Sequence, residues 1–142
     1  GKVVERSPEL SLKWNEKAAE NGDFRAMARA GWMYLRGKGS DPDRIKGLGY
    51  LWIAAHAGDG RAQCFLGTGM LNGWFDTSDR LSGLMWLKLA AETDKTCAEQ
   101  ILHKHYAALS AAEGTLTEQM VERCRALKEC GSKPWEWGSV QG

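Results

Sequence analysis

The amino-acid sequence predicts an all-α solenoid, a right-handed superhelix of antiparallel helix pairs. Three kinds of position recur along the chain without an insertion: alanine pairs, an aromatic residue before each pair, and glycines. They are Ala18–Ala19, Ala54–Ala55 and Ala90–Ala91; Trp14, Tyr50 and Trp86; and Gly31 with Gly67 and Gly37 with Gly73, each 36 residues apart. A period of roughly 20 to 50 residues is typical of solenoids, in which each unit buries its core against its neighbours.

Each unit is predicted to hold two helices. Small and apolar residues follow one face of the first helix at helical spacing. In successive units they are Ala26, Ala30, Gly31 and Tyr34, then Ala62, Leu66, Gly67 and Met70. A glycine-containing break follows at 37–43 and at 72–79. These breaks predict the turn between the two helices of a unit.

Polar residues in these turns predict the helix ends. We expect Asp41 to cap the second helix, with Pro42 in its first turn. That helix is expected to stop near Gly58, and Asp59 and Asp94 are expected to cap the next first helices.

The array is expected to form one domain over residues 1–133. We place a half-repeat at 8–22 with Ser7 as its cap, full repeats at about 24–59 and 60–95, and capping helices at 96–130. The last helix is expected to begin with a capping box of Thr115 and Glu118. Residues 134–142 are expected to form a flexible tail.

These positions resemble the Sel1-like repeats, relatives of the tetratricopeptide repeats. The first helix is similar to the pattern A-x-x-x-L-G-x-x-Y-x-x-G and the second to A-x-x-W-x-x-x-A-A-x-x-G, over about residues 12–128. The stretch 116–119 is similar to the start of the terminal helix in many bacterial members. The resemblance implies an adaptor or scaffold in signalling, assembly or secretion, and it does not identify the partner.

Composition and charge exclude several classes of protein. The 142 residues include 19 basic and 18 acidic side chains, which leaves a net charge of +1 and no basic footprint for nucleic acid. No apolar run reaches the roughly 18 residues that a membrane span requires. We expect a monomer. Its compartment stays open: bacterial periplasm or secreted if a signal peptide has been removed, and otherwise cytoplasmic.

The four cysteines are Cys64, Cys97, Cys124 and Cys130, and their spacing forms no metal-ligand motif. Free, packed thiols and two disulfides are both compatible with it. Cys124 and Cys130 can bridge only if the last helix ends near Leu127, because six helical residues rise about 9 Å.

The sequence offers no convergent polar constellation of the kind that an enzyme requires. His103 and His105 are two residues apart on a predicted helix, so they point to different faces and cannot share a metal as an i, i+4 pair can. The segment 37–40 lacks the full phosphate-loop pattern. We therefore expect no catalytic site, no metal and no cofactor.

The tryptophans divide into core and candidate binding residues. Trp14 and Trp86 occupy the repeated aromatic position and are expected in the core, whereas the equivalents of Trp32 are Thr68 and Lys104. Trp32 lies on a stripe of the first helices that is offset from the core face. The stripe comprises Arg25, Arg29, Trp32 and Arg36; Arg61, Phe65, Thr68 and Asn72; and Cys97, Ile101, Lys104 and Ala108.

In tetratricopeptide-like solenoids this side of the first helix lines the concave groove. We therefore predict a partner-binding surface on that stripe, since arginine and tryptophan dominate interface energetics and guanidinium groups bind carboxylates. Its residues are Arg25, Arg29, Trp32, Arg36, Phe65, Thr68, Asn72 and Lys104. The alternative is that Phe65 and Ile101 pack against the neighbouring unit and that the arginines are only solvated.

The leading functional hypothesis is an adaptor, scaffold or inhibitor-like module that binds an acidic or amphipathic segment of another protein. The alternative is a module for a cell-wall glycan or peptide that uses exposed tryptophans. Secondary candidates for either role are Trp52, Trp74, Trp135 and Trp137.

Overall fold

A computed structural model describes residues 7–75, 79–93 and 109–131, and these ranges contain helices and no strand. The helices are α1 (Pro8–Glu20), α2 (Phe24–Arg36), α3 (Arg44–His56), α4 (Gly60–Leu71), α5 (Arg80–Thr93) and α6 (Ala111–Leu127). Helices α2 and α3 pack against each other, as do α4 and α5. The arrangement is a solenoid of helix pairs and confirms the predicted fold class.

Short polar side chains begin most of the helices. Ser7, Asp23 and Asp59 each accept a hydrogen bond from the backbone N–H three residues later, at 3.1, 3.0 and 2.9 Å. Such a bond satisfies one of the amide groups that the first turn of a helix leaves without an intrahelical partner. Ser7 and Asp59 lie where the sequence predicts caps, whereas Asp94 lies outside the described residues.

Two predicted caps are wrong. The cap of α3 is Asp43, whose carboxylate accepts from the Lys46 amide at 3.0 Å, so Asp41 and Pro42 precede the helix. The capping box of α6 is formed by Ser110 and Glu113. Thr115 lies inside that helix. Both Ser110 and Thr115 have a glutamate three residues later, so the same short pattern fits two registers.

The repeated glycines allow the two helices of a pair to pack in backbone contact. A Cβ atom added at Gly31 would lie 2.7 Å from the carbonyl oxygen of Gly47, and one added at Gly67 would lie 2.7 Å from that of Gly83. Real Cβ atoms do not approach a carbonyl oxygen so closely. The recurrence of glycine on facing helices therefore allows a close approach of the backbones in both pairs, α2–α3 and α4–α5.

Side chains of the second helices of successive units contact one another. Glu16 of α1 contacts Tyr50 of α3, and the rings of Trp52 and Trp86 meet edge-on at a centroid distance of 5.5 Å. Between α5 and α6 the ion pairs are Arg80–Glu113, Lys88–Glu118 and Glu92–Arg125. Residue numbers rise together along these contacts, so α5 and α6 run in the same direction.

Two of the tryptophan predictions are wrong. Trp14 is 60% exposed rather than buried, although its equivalent Trp86 is completely buried. The equivalent residues of the next two units each contact the second helix before them: Tyr50 contacts Glu16 of α1, and Trp86 contacts Trp52 of α3. The described residues include no second helix before α1 that could contact Trp14 in the same way. Trp52 is only 6% exposed because it forms the contact with Trp86, so it is not a surface candidate.

The cysteines form disulfides rather than free thiols in the described part of the chain. Cys124 and Cys130 are bonded, with their Cα atoms 4.4 Å apart. The helix ends at Leu127, and Lys128 adopts a left-handed conformation (φ 59°) that turns the chain back. Cys64 is also disulfide-bonded. The predicted condition for a Cys124–Cys130 bridge, a helix end near Leu127, is met.

Candidate partner-binding groove

A cavity of about 410 Å³ lies between the first helices of the two units. Its base is formed by Ala28 and Leu51, which are buried in the main hydrophobic core. Trp32 of α2 and Phe65 of α4 are half-buried at its sides. The other described residues that line it are Arg29 and Arg61, whose side chains are exposed. The site therefore combines an apolar interior with a cationic rim.

The fold holds the two aromatic walls in place from behind. Trp32 packs against a small buried cluster formed by Leu12, Ala30, Met33 and Tyr34. Phe65 is in contact with Trp74, at a centroid distance of 5.4 Å, and with Phe75, at 6.4 Å. Walls that are packed on their far side lose little side-chain entropy when a ligand binds.

Every formal charge on the two groove helices is positive. Helices α2 and α4 contain four arginines, Arg25, Arg29, Arg36 and Arg61, and no aspartate or glutamate. Within the described ranges none of these arginines forms an ion pair, and all of the ion pairs that are formed involve α1, α3, α5, α6 or the segment after α6. The groove is thus a cationic face on a chain whose total charge is close to zero.

Two further cations, Arg36 and Lys38, lie against the indole ring of Trp32. The guanidinium carbon of Arg36 lies 5.2 Å from the centre of the indole ring, and the Lys38 ammonium lies 5.1 Å from it. Both distances are within the range of cation–π attraction. These contacts orient the indole and place positive charge on the side of the cavity opposite Arg25.

Some of the residues predicted from the sequence converge on the cavity and others do not. Arg29, Trp32 and Phe65 line it together with Arg61 of the same stripe, whereas Arg25, Arg36, Thr68 and Asn72 do not. Thr68 lies beside Cys64, with its hydroxyl oxygen 3.9 Å from the sulfur. Asn72 caps the end of α4. Lys104 lies outside the described residues.

Sequence reasoning missed the base of the cavity. Ala28 belongs to α2 but to neither predicted stripe, and Leu51 belongs to α3. The small side chain of Ala28, one residue before Arg29, was the available signal. Among the secondary candidates, Trp74 is 51% exposed beside Phe65 and extends the aromatic surface. Trp135 and Trp137 lie outside the described residues.

A cluster of coupled ionisable groups lies away from the cavity, around Glu16. Its carboxylate accepts hydrogen bonds from Tyr34 (2.8 Å) and Tyr50 (2.9 Å), and the Lys46 ammonium lies 3.5 Å from it. Burial favours a higher pKa for Glu16, but the two hydroxyl donors and Lys46 outweigh it, so its pKa is lowered from 4.5. Burial and the bond to Glu16 raise the pKa of Tyr50 to about 12. This cluster joins α1, α2 and α3.

The described ranges contain no group of three or more histidine, cysteine or acidic residues arranged to hold a metal. None of the helices described is both long and apolar enough to cross a membrane.

The family model of the Sel1 repeat matches three consecutive segments, residues 1–23, 24–59 and 60–93. The chain belongs to the Sel1 repeat family. Together the segments cover more than half of the chain, and the second and third Sel1 repeats contain the helix pairs α2–α3 and α4–α5. Comparison with curated proteins gives no match.

The cavity therefore lies between the first helices of two adjacent Sel1 repeats, where α2 and α4 are neighbours. Sel1 repeats generally mediate protein–protein interactions, and the all-helical Sel1 fold is typically a non-catalytic interaction module.

Proposed function

We propose that this protein is a non-catalytic adaptor, scaffold or inhibitor-like module that binds an acidic or amphipathic segment of a partner protein in the α2–α4 groove. The observation that carries the proposal is the convergence of Arg29, Trp32, Arg61 and Phe65, from two different repeats, on one apolar cavity.

The chemistry of the cavity supports binding of a side chain from another protein. Its volume of about 410 Å³ lies at the lower end of the range for ligand pockets, roughly 300 to 1,000 Å³. Tryptophan and arginine are enriched among the residues that dominate interface energetics, and such residues cluster around well-packed pockets. A partner's apolar side chain inserted between Trp32 and Phe65 would bury apolar surface, and each Å² contributes roughly 25 cal/mol.

The same lining supports a non-catalytic role. Among the described residues, those that line the cavity are alanine, leucine, aromatic residues and two arginines, and none of them brings a carboxylate, imidazole, hydroxyl or thiol to it. Acid–base and nucleophilic catalysis both require at least one such group within hydrogen-bonding reach of the substrate.

The test is partner capture by the immobilised protein from the native cell, read by mass spectrometry, with groove variants in parallel. We expect the double variant Arg29→Ala/Trp32→Ala to lose the partners that the wild type retains, with an unchanged helical circular dichroism spectrum. The control is Trp14→Ala, which removes an exposed tryptophan on α1, outside the groove. Equal retention by the wild type and the double variant would show that the groove is not the binding surface.

A cell-wall glycan or peptide is the alternative ligand. The observation that favours it is the pair of exposed indoles, Trp14 at 60% and Trp74 at 51%, because exposed aromatic faces can stack on sugar rings. Titration of the intrinsic tryptophan fluorescence with soluble wall fragments separates the two functions. A saturable shift that is lost in Trp74→Ala would favour the glycan ligand, whereas the absence of a shift would leave protein binding.

A further inference from the structure

The positive charge on the first helices indicates what kind of segment fits the groove. The whole chain carries 19 basic and 18 acidic residues, yet the groove helices α2 and α4 carry only basic ones. Among the described residues, the glutamates of α1, α5 and α6 supply the acidic partners of most ion pairs, on the second-helix layer. The groove cations therefore have no acidic partner within the described part of the fold.

We propose that the groove selects a segment in which one large apolar side chain is flanked by carboxylates on both sides. This inference rests on the groove function proposed above and specifies the partner's chemistry. The apolar side chain occupies the cavity between Trp32 and Phe65. The carboxylates on one side bind Arg25, Arg29 and Arg61, and those on the other side bind Arg36 and Lys38.

The positions of the cations along α2 require carboxylates on both sides. Arg25 precedes Trp32 by about two helical turns, and Arg36 follows it by about one turn. The distance along the helix axis from Arg25 to Arg36 is about 16 Å, at 1.5 Å per residue. An extended segment of about five residues covers that distance, as does a helix of about 11 residues.

Desolvation makes the selection stronger than attraction alone. A neutral segment that covers Arg29 and Arg61 displaces water from both guanidinium groups and offers them no carboxylate in its place. An acidic segment replaces that water with charge-assisted hydrogen bonds, which guanidinium groups form bidentately with carboxylates. The groove thus disfavours neutral or basic segments even where their apolar side chain fits the cavity.

The experiment is selection from a phage-displayed library of random peptides about 12 residues long, followed by fluorescence anisotropy of the selected peptides. Four proteins are compared: the wild type, Trp32→Ala, Arg29→Glu/Arg61→Glu and Lys13→Glu/Lys17→Glu. The last is a matched control, because it makes the same change of net charge on exposed residues of α1. Circular dichroism confirms that each variant is folded.

We expect the wild type to enrich peptides with aspartate or glutamate on both sides of a leucine, phenylalanine or tryptophan. Their affinity should fall at least tenfold in Arg29→Glu/Arg61→Glu and in high salt, and should change less than twofold in the α1 control. The charge-reversed groove should enrich lysine and arginine at the positions nearest to residues 29 and 61.

Two results would overturn the proposal in distinguishable ways. Peptides that require Trp32 but are neutral or basic would refute the acidic selection and leave groove binding intact. Failure to obtain any peptide whose binding is lost in Trp32→Ala would refute the groove function itself, and the acidic selection with it.

Discussion

The close contact between paired helices predicts opposite effects for the same substitution at two glycines. In Gly67→Ala the new methyl group would lie 2.7 Å from the Gly83 carbonyl oxygen and 2.7 Å from Leu87 Cγ. The oxygen belongs to the backbone of α5, so the two helices must separate. Gly49→Ala places a methyl group in the middle of α3 with no atom within 4 Å.

The magnitudes follow from two opposing terms. Replacing a helical glycine by alanine gains about 0.5 to 1 kcal/mol, because alanine loses less backbone entropy on folding. Overpacking costs typically about 1 to 3 kcal/mol, and a backbone contact falls at the upper end. We expect Gly67→Ala to lower the free energy of unfolding by about 2 kcal/mol, and Gly49→Ala to raise it by about 0.5 to 1 kcal/mol.

The assay is urea denaturation followed by circular dichroism at 222 nm, with thermal melts in parallel. On this scale Gly67→Ala lowers the Tm by roughly 6 °C. Equal stabilisation by both substitutions would contradict the backbone contact between α4 and α5, and with it the reason given for the recurrence of glycine.

Three further predictions concern the core and the ends of the array. Because the pKa of Glu16 is lowered in the folded state, its contribution to stability is present above its unfolded pKa of 4.5 and is lost as the pH falls through the folded pKa. The difference in free energy of unfolding between the wild type and Glu16→Gln, measured by urea denaturation, should therefore become smaller in acid. A difference that does not change with pH would show that the ionised Glu16 carboxylate does not stabilise the fold. Removing the bridge in Cys124→Ser/Cys130→Ser, which opens a short loop, should cost about 2 kcal/mol. Dithiothreitol should lower the Tm of the wild type by more than that of the variant, which retains the disulfide of Cys64. Trp86→Ala should cost about 3 to 5 kcal/mol, whereas Trp14→Ala should cost less than about 1 kcal/mol, and similar losses in chemical denaturation would show that Trp14 is buried.

The 36-residue repeat was sufficient to predict the fold, because the recurring alanines and glycines show which positions require a small side chain. Gly31 and Gly67 recur because each faces a carbonyl oxygen of the partner helix. Their spacing therefore indicates that each first helix packs closely against a second helix. The same period failed for Trp14. Contacts at that aromatic position come from a preceding second helix, and the described residues contain none before α1.

The candidate site was predictable only at the positions where the repeat varies. The variable stripe with Arg29, Trp32 and Phe65 was visible as a departure from the repeat, and these residues line the cavity. Ala28 and Leu51 were not visible, because both look like ordinary core residues. Their role depends on the width of the gap between α2 and α4, which arises from packing and not from either sequence segment alone.

The central claim is that the α2–α4 groove is where a partner protein binds. The most direct measurement replaces Phe65, at the side of the cavity, with the photo-crosslinking amino acid p-benzoylphenylalanine and irradiates the native cells. The matched position is Ile45, which is 71% exposed on α3 and does not line the cavity. The account predicts a discrete crosslinked protein from position 65 and none from position 45. Crosslinks of equal yield from both positions, or from position 45 alone, would contradict it.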